Sequence, residues 1–135
     1  MSAIAGLTFW NFYFRLYPGT IKSPQVVEFV AALVRQISTP LLIVWDRLAA
    51  HRSSVVRNYL AGLGDHVIVE YLPSYAPELN PVEYIWSYWK QHELPNVCPK
   101  DYWQLGETAR RTLKRMRRRP RLITSFWKQS SLWPE

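Results

Sequence analysis

Leu41-Leu42-Ile43-Val44-Trp45-Asp46 is the stretch on which the fold turns: five apolar residues without a polar interruption, closed by one acid. A short continuous apolar run reads as a strand buried on both faces, the usual state of a strand in a parallel sheet. A second strand candidate follows at residues 67–72. Between the two, Ser53 or Ser54 can cap a helix that runs through Leu60 and is stopped by Gly62 and Gly64. Strand, helix, strand is a crossover unit, which joins parallel strands in the right-handed sense.

Upstream, residues 2–9 and Phe12–Tyr17 read as two strands rich in aromatic and aliphatic residues, with Trp10-Asn11 as a hairpin turn and Pro18-Gly19 as the stop. Ser23-Pro24 opens a helix with Ser23 as N-cap; Val26, Val30, Leu33 and Ile37 form its apolar stripe, and Thr39-Pro40 closes it. Downstream, Pro73-Ser74-Tyr75-Ala76-Pro77 is a stiff loop, and Asn80-Pro81 begins a helix that reaches about His92. Residues 95–99 break the chain. A further helix spans roughly residues 101–118, with Tyr102, Leu105, Ala109, Leu113 and Met116 on one face, and a short aromatic helix follows Pro120. This order predicts an α/β fold: a mixed sheet, to which the hairpin adds antiparallel strands, flanked by helices.

Composition narrows the function classes. Apolar residues make up 48 % and charged residues 20 % of the 135, which suits one globular core rather than a disordered tail. The 15 % of aromatics calls for a thick core or for surfaces meant for a partner. The single cysteine, Cys98, has no intramolecular partner, and no apolar run approaches the length of a membrane span. With no basic segment followed by an apolar one at the N-terminus, a cytoplasmic protein without membrane contact is expected.

The net charge of +7 is local. Arg110, Arg111, Lys114, Arg115, Arg117, Arg118, Arg119 and Arg121 follow one another with no acid between them, while the other nine basic residues face ten acids and leave the rest of the chain at −1. A phosphate backbone is the commonest partner of such a segment; a solvated helix face is the other reading.

Two acids stand at positions where chemistry is done. Asp46 ends the apolar strand, and ligands of α/β sheets bind at the carboxyl ends of strands; a strand-end Asp that caps the next loop occupies the same place. Glu83 lies three residues beyond Asn80. This is the spacing of a capping box, in which Asn80 is the N-cap and Glu83 reaches back to its amide. A helix start also suits a carboxylate with other duties. Two carboxylates meeting at one sheet edge, about 4–8 Å apart, could hold Mg²⁺, which takes oxygen ligands and keeps waters and phosphate oxygens as the rest of its shell. His51, five residues after Asp46, is too isolated for a zinc site and is either a loop residue or a neighbour of the acid.

Taken together, Leu42-Ile43-Val44-Trp45-Asp46, His51-Arg52-Ser53, and Tyr71-Leu72-Pro73-Ser74-Tyr75-Ala76-Pro77-Glu78-Leu79-Asn80-Pro81-Val82-Glu83 with Trp86 and Lys90 resemble the catalytic core of DDE transposases. The likeness is to the bacterial insertion-sequence branch of the mariner-like superfamily. It covers residues 1–94, and residues 95–135 read as a C-terminal helical basic extension. It implies an RNase H-like fold and metal-dependent cutting and joining of DNA strands with Mg²⁺ or Mn²⁺. Asp46 resembles the second of the family's three acids and Glu83 the third; His51 and Asn80 match positions beside the site. The family's first Asp sits on a strand upstream of the hairpin, and no acid before Asp46 replaces it, because Glu28 falls within a helix. The family's helix-turn-helix region also has no counterpart here. The resemblance therefore implies the C-terminal part of a catalytic domain lacking the first strand: a split-frame product or decayed copy, inactive alone. Its expected partners are transposon-end DNA, an upstream fragment carrying the first Asp and the helix-turn-helix, and further copies of itself in a homo-oligomer. A non-catalytic DNA-binding or oligomerising fragment is the competing function. A generic RNase H-like nuclease acting on RNA fits the Pro-Glu-Leu-Asn-Pro-Val-Glu string poorly.

Overall fold

The computed structural model describes residues 2–74, 76–93 and 102–130. The elements run β1 (Ser2–Leu7), β2 (Phe12–Tyr17), α1 (Ser23–Gln36), β3 (Leu41–Trp45), α2 (Ala49–Arg52), α3 (Ser54–Gly62), β4 (Val67–Tyr71), α4 (Pro81–Tyr88), α5 (Tyr102–Arg117) and α6 (Pro120–Gln129). The α/β class follows. Hydrogen bonding divides the four strands into two two-stranded sheets, β1–β2 and β3–β4, in place of the single mixed sheet expected from the order of elements. The chain forms two compact units: Gly19–Pro77, and Met1–Pro18 together with Glu78–Glu135. The break expected at residues 95–99, and Cys98 within it, lie outside the described residues. Among the described residues no helix is long and apolar enough to cross a membrane.

In the unit Gly19–Pro77, β3 and β4 pair in parallel from Leu41↔Val67 to Trp45↔Tyr71, as the crossover reading requires, and the Leu72 amide extends the ladder to Trp45 O at 2.8 Å. The strand is not buried on both faces. Alternate residues are turned outward, with Leu42 64 %, Val44 48 % and Ile68 54 % exposed. An unbroken apolar run cannot announce which of its faces is covered. The buried side chains of the unit are Val26, Phe29, Val30 and Ala32 on α1, Val56 on α3, Val67 on β4, and Leu72. Phe29 thus joins the expected stripe, completing the i, i+3, i+4 spacing of a packed helix face.

The helix ends are specified locally. The N-cap of α1 is Lys22, not Ser23: the Gln25 side chain accepts from the Lys22 amide at 2.9 Å, and Ser23 Oγ donates instead to Ser53 Oγ at 2.8 Å. Ser53 Oγ accepts from the Val56 amide at 3.3 Å, which makes Ser53 the cap of α3. Beyond the end of α3, Gly64 stands at φ +59°, the left-handed conformation that a residue with a Cβ resists.

In the other unit the hairpin turn is longer than the two residues expected. Thr8 and Asn11 close it: the Thr8 amide donates to Asn11 O at 2.8 Å, the Asn11 amide to Thr8 Oγ1 at 3.0 Å, and the Phe12 amide to Asn11 Oδ1 at 2.8 Å. Side chains that mimic backbone partners favour this wider loop. Phe12 is wholly buried and meets Ile85, Leu113, Met116, Leu122, Ile123 and Phe126 in one core. Trp86, Tyr88, Trp89 and Trp127 pack around it, which is where much of the aromatic content goes. Trp89 Nε1 donates to Thr112 Oγ1 and Trp127 Nε1 to Thr8 O, each at 2.7 Å, so the polar atoms of these indoles are satisfied. Helix α4 ends in a π-helical turn, Trp89–Glu93.

Truncating this core should be costly: Phe12→Ala and Ile123→Ala are each expected to lose about 2–5 kcal/mol in urea unfolding, whereas Leu42→Ala on the outward face of β3 should stay within about 0.5 kcal/mol. Gly64→Ala should cost about 1 kcal/mol, all of it backbone strain, because nothing lies within 4 Å of the added Cβ. A Gly64→Ala variant as stable as the parent would show that the left-handed turn is not kept in solution.

Candidate functional site

Asp46 follows the last residue of β3, at the carboxyl end of the strand, where the side chain leaves the ladder half-exposed. Its Oδ1 accepts from the Leu48 amide at 3.1 Å, the loop-capping role. The same oxygen lies 3.0 Å from His51 Nδ1, and His51 Nδ1 is 3.1 Å from Asp46 O. Both neighbours of that nitrogen are acceptors, so Nδ1 carries a proton, and in a neutral ring Nε2 is left as the acceptor. The second carboxylate oxygen of Asp46 has no partner among the described residues. One oxygen therefore organises the loop and the other is open, and the two readings of Asp46 hold together.

His51 is brought to Asp46 by the one-turn helix α2, which no cap signal in the sequence announces. Its ring stacks on Trp45, with centroids 4.3 Å apart and planes 7° from parallel. Its carbonyl accepts from Tyr71 Oη at 3.4 Å, across from the neighbouring strand. Arg47 lies over the Tyr71 ring and donates to Leu72 O at 3.3 Å, while Arg52 donates to Arg47 O at 2.9 Å. The loop that carries Asp46 is thus tied down on both sides. Sequence reasoning misses Trp45, Arg47 and Tyr71 as supports of the site; only their adjacency to Asp46 and Leu72 marks them.

Glu83 belongs to the other compact unit, in the first turn of α4. Asn80 caps this helix as expected, its Oδ1 accepting from the Val82 amide at 3.2 Å. The second half of the capping box is not formed: the Glu83 side chain is exposed and has no hydrogen bond or ion pair among the described residues. Its carboxylate is available for another role at a helix start, where negative charge is favoured. Trp86, one turn on, packs against the core, and Lys90 is exposed in the π-helical turn.

Among the described residues no three His, Cys, Asp or Glu side chains gather into a metal cage. Asp46, in one unit, offers a hard oxygen on a fixed carboxylate, and Glu83, in the other, a solvent-facing carboxylate; among the described residues neither is neutralised by Lys or Arg. Each is of the oxygen-donor type that Mg²⁺ takes.

The basic segment lies on α5, the turn after it, and α6. Thr108, Ala109, Thr112, Leu113 and Met116 are buried, and Arg110, Arg111, Lys114, Arg115, Arg118, Arg119 and Arg121 are exposed, with Arg117 half-buried. Arg115 is hydrogen-bonded and ion-paired to Glu93, whose side chain is only 9 % exposed. That hydrogen bond and charge raise the Arg115 pKa above its ordinary value. Arg119 donates to Tyr88 Oη at 2.6 Å and lies over its ring, Arg117 lies over the Phe14 ring, and Arg110 faces Glu107 at 3.8 Å.

A family model described as DDE superfamily endonuclease matches residues 2–105. No curated protein matches the sequence. The fold is similar to the catalytic domain of Mos1 mariner transposase, with a TM-score of 0.75 at 15 % identity over 95 % of this chain and 67 % of that one. It is similar to the same catalytic domain with raltegravir and Mn, with a TM-score of 0.69 at 17 % identity over 96 % and 71 %. The Mos1 strand transfer complex gives a TM-score of 0.71 at 18 % identity over 90 % of this chain and 37 % of that one. These likenesses establish an RNase H-like α/β fold, and the match over residues 2–105 establishes that the chain belongs to the DDE superfamily endonuclease family.

Proposed function

We propose that this chain is the part of a DDE transposase that contributes two metal-binding acids, Asp46 and Glu83, to the cutting and joining of transposon-end DNA. The branch that its Pro77-Glu78-Leu79-Asn80-Pro81-Val82-Glu83 string fits is that of the bacterial insertion sequences. The observation that carries the reading is the carboxylate of Asp46: at a strand end, with one oxygen held by the Leu48 amide and His51 and the other open. His51 acts as a positioning residue, fixed by its stack on Trp45, and Asn80 fixes the start of the helix that presents Glu83. Residues 1–94 form the partial catalytic core in this reading, and residues 95–135 the basic extension.

When bound, Mg²⁺ or Mn²⁺ would polarise a phosphodiester and stabilise the charge on attacking and leaving oxygens. The chain's own part is to hold the carboxylates still. A ligand that must find its rotamer at each turnover loses the preorganisation on which electrostatic catalysis depends. Exposed cations within residues 110–121 hold the DNA backbone and supply affinity without reading bases. In this reading the family's first acid is supplied by a polypeptide segment bearing the family's first strand.

Three outcomes are expected. The 135-residue chain alone should bind Mn²⁺ weakly, as followed by electron paramagnetic resonance, and Asp46→Asn should remove most of that binding. His51→Ala should weaken it by about 10-fold or more, the usual effect of removing the group that orients a metal ligand. Nicking of end-sequence DNA should be at background for the lone chain and should emerge when a polypeptide bearing the first strand and its Asp is added. Mn²⁺ affinity untouched by Asp46→Asn and Glu83→Gln, or metal-dependent nicking that survives both, would remove the site assignment and leave a non-catalytic DNA-binding fragment.

A further inference from the structure

Resting on the reading of residues 110–121 as a DNA-binding segment, we infer that its cations divide into two groups with different work: Arg111, Lys114, Arg118 and Arg121 track duplex phosphates, while Arg115, Arg117 and Arg119 hold the protein together.

The division comes from what each guanidinium or ammonium already touches. Arg115 compensates Glu93, a carboxylate that is 9 % exposed and would otherwise be a nearly buried, unpaired charge. Arg119 is engaged by Tyr88, both at its hydroxyl and over its ring, and Arg117 by the face of Phe14 in β2. These interactions join the end of α5 and the turn after it to α4, its π-helical turn, and the hairpin. A guanidinium held in that way is already committed to a partner on the protein, and turning it to a phosphate would break that hold. Arg110 shares an exposed pair with Glu107 and belongs to neither group.

The side chains of the other four have no ion pair, hydrogen bond or ring contact among the described residues, and all four residues are exposed. Arg111 and Lys114 on α5 and Arg118 just past its end stand at i, i+3 and i+7, the spacing of one helix face. Their face is opposite the buried Ala109, Leu113 and Met116. Arg121 stands in the first turn of α6, where the helix dipole disfavours a cation and no acid offsets it. Its charge is therefore not explained by helix stability. Four solvated, uncompensated cations on successive turns suit a partner with regularly spaced negative charge and no required base contacts, which is duplex nucleic-acid backbone.

The test compares two variants of the full chain for binding to a random-sequence duplex of about 30 base pairs, long enough to span several helical turns, across a series of KCl concentrations, with thermal melting of each. Arg111→Gln/Lys114→Gln/Arg118→Gln/Arg121→Gln should flatten the slope of log affinity against log salt by about 3–4, at about 0.9 for each phosphate no longer neutralised, with the melting temperature nearly unchanged. Arg115→Gln/Glu93→Gln removes the clamp together with the charge it compensates, so the variant keeps a folded state in which binding can be measured. It should melt lower and keep the parent's slope. A slope flattened by about 0.9 in the Arg115→Gln/Glu93→Gln variant, one phosphate's worth, would overturn the division while leaving the segment as the DNA interface. A parent-like slope in both would overturn the segment reading itself.

Discussion

A two-stranded sheet is at best marginally stable in water, since it buries too little apolar surface to offset the ordering of its backbone. The described residues contain two of them, and the remainder of each unit is arranged around that constraint. The β1–β2 hairpin is completed by α4, α5 and α6, whose Ile85, Leu113, Met116, Ile123 and Phe126 close over Phe12. The β3–β4 pair is completed by helices that come before and between its strands, through Val26, Phe29, Val30 and Val56. The second solution leaves one face of β3–β4 open, with Leu42, Val44 and Ile68 outward. Both strands are nevertheless parallel and in register, because a connection as long as α2 and α3 suits a crossover rather than a hairpin.

Much of this is legible in sequence because the signals are covalently local. Gly64, Ser53, Asn80-Pro81 and the 3.6-residue stripes fix where helices begin and end whatever the tertiary context. Sequence and structure part where two local signals compete. Ser23 is a better cap by propensity than Lys22, but Gln25 can serve the Lys22 amide and Ser23 has a hydroxyl partner in Ser53. Strand composition points to a turn at Trp10-Asn11, whereas Thr8 and Asn11 supply the hydrogen bonds that set its length. An apolar run such as Leu41–Trp45 reports the chemistry of both faces and the burial of neither.

The site is legible in its acids and less so in what holds them. Asp46 can be singled out because an acid after five apolar residues is conspicuous. The stack of His51 on Trp45 cannot, since a loop and the start of a one-turn helix separate them and no periodicity links the two. The Asn80 and Glu83 spacing predicts a reciprocal cap, but only the Asn80 half forms, and the Glu83 carboxylate faces solvent. The basic segment is legible as a total charge only. Which of its cations face inward depends on Glu93, Tyr88 and Phe14, distant in sequence from all of them.

The hairpin and its covering helices lie far apart along the chain: Thr8 O waits for Trp127 Nε1, 119 residues later. Residues 19–77, by contrast, are continuous and can close as soon as they leave the ribosome. At translation rates of about 5–20 residues per second, β1 and β2 are exposed for roughly 5–20 s before α6 exists. In that interval Phe12, Phe14 and Leu16 lack the cover of Leu122, Ile123 and Phe126, so strands made before residues 19–77 belong to the unit finished after them. Its yield in a living cell then depends on the pace of synthesis and on chaperones that bind nascent aromatic segments, as much as on the stability of the folded form.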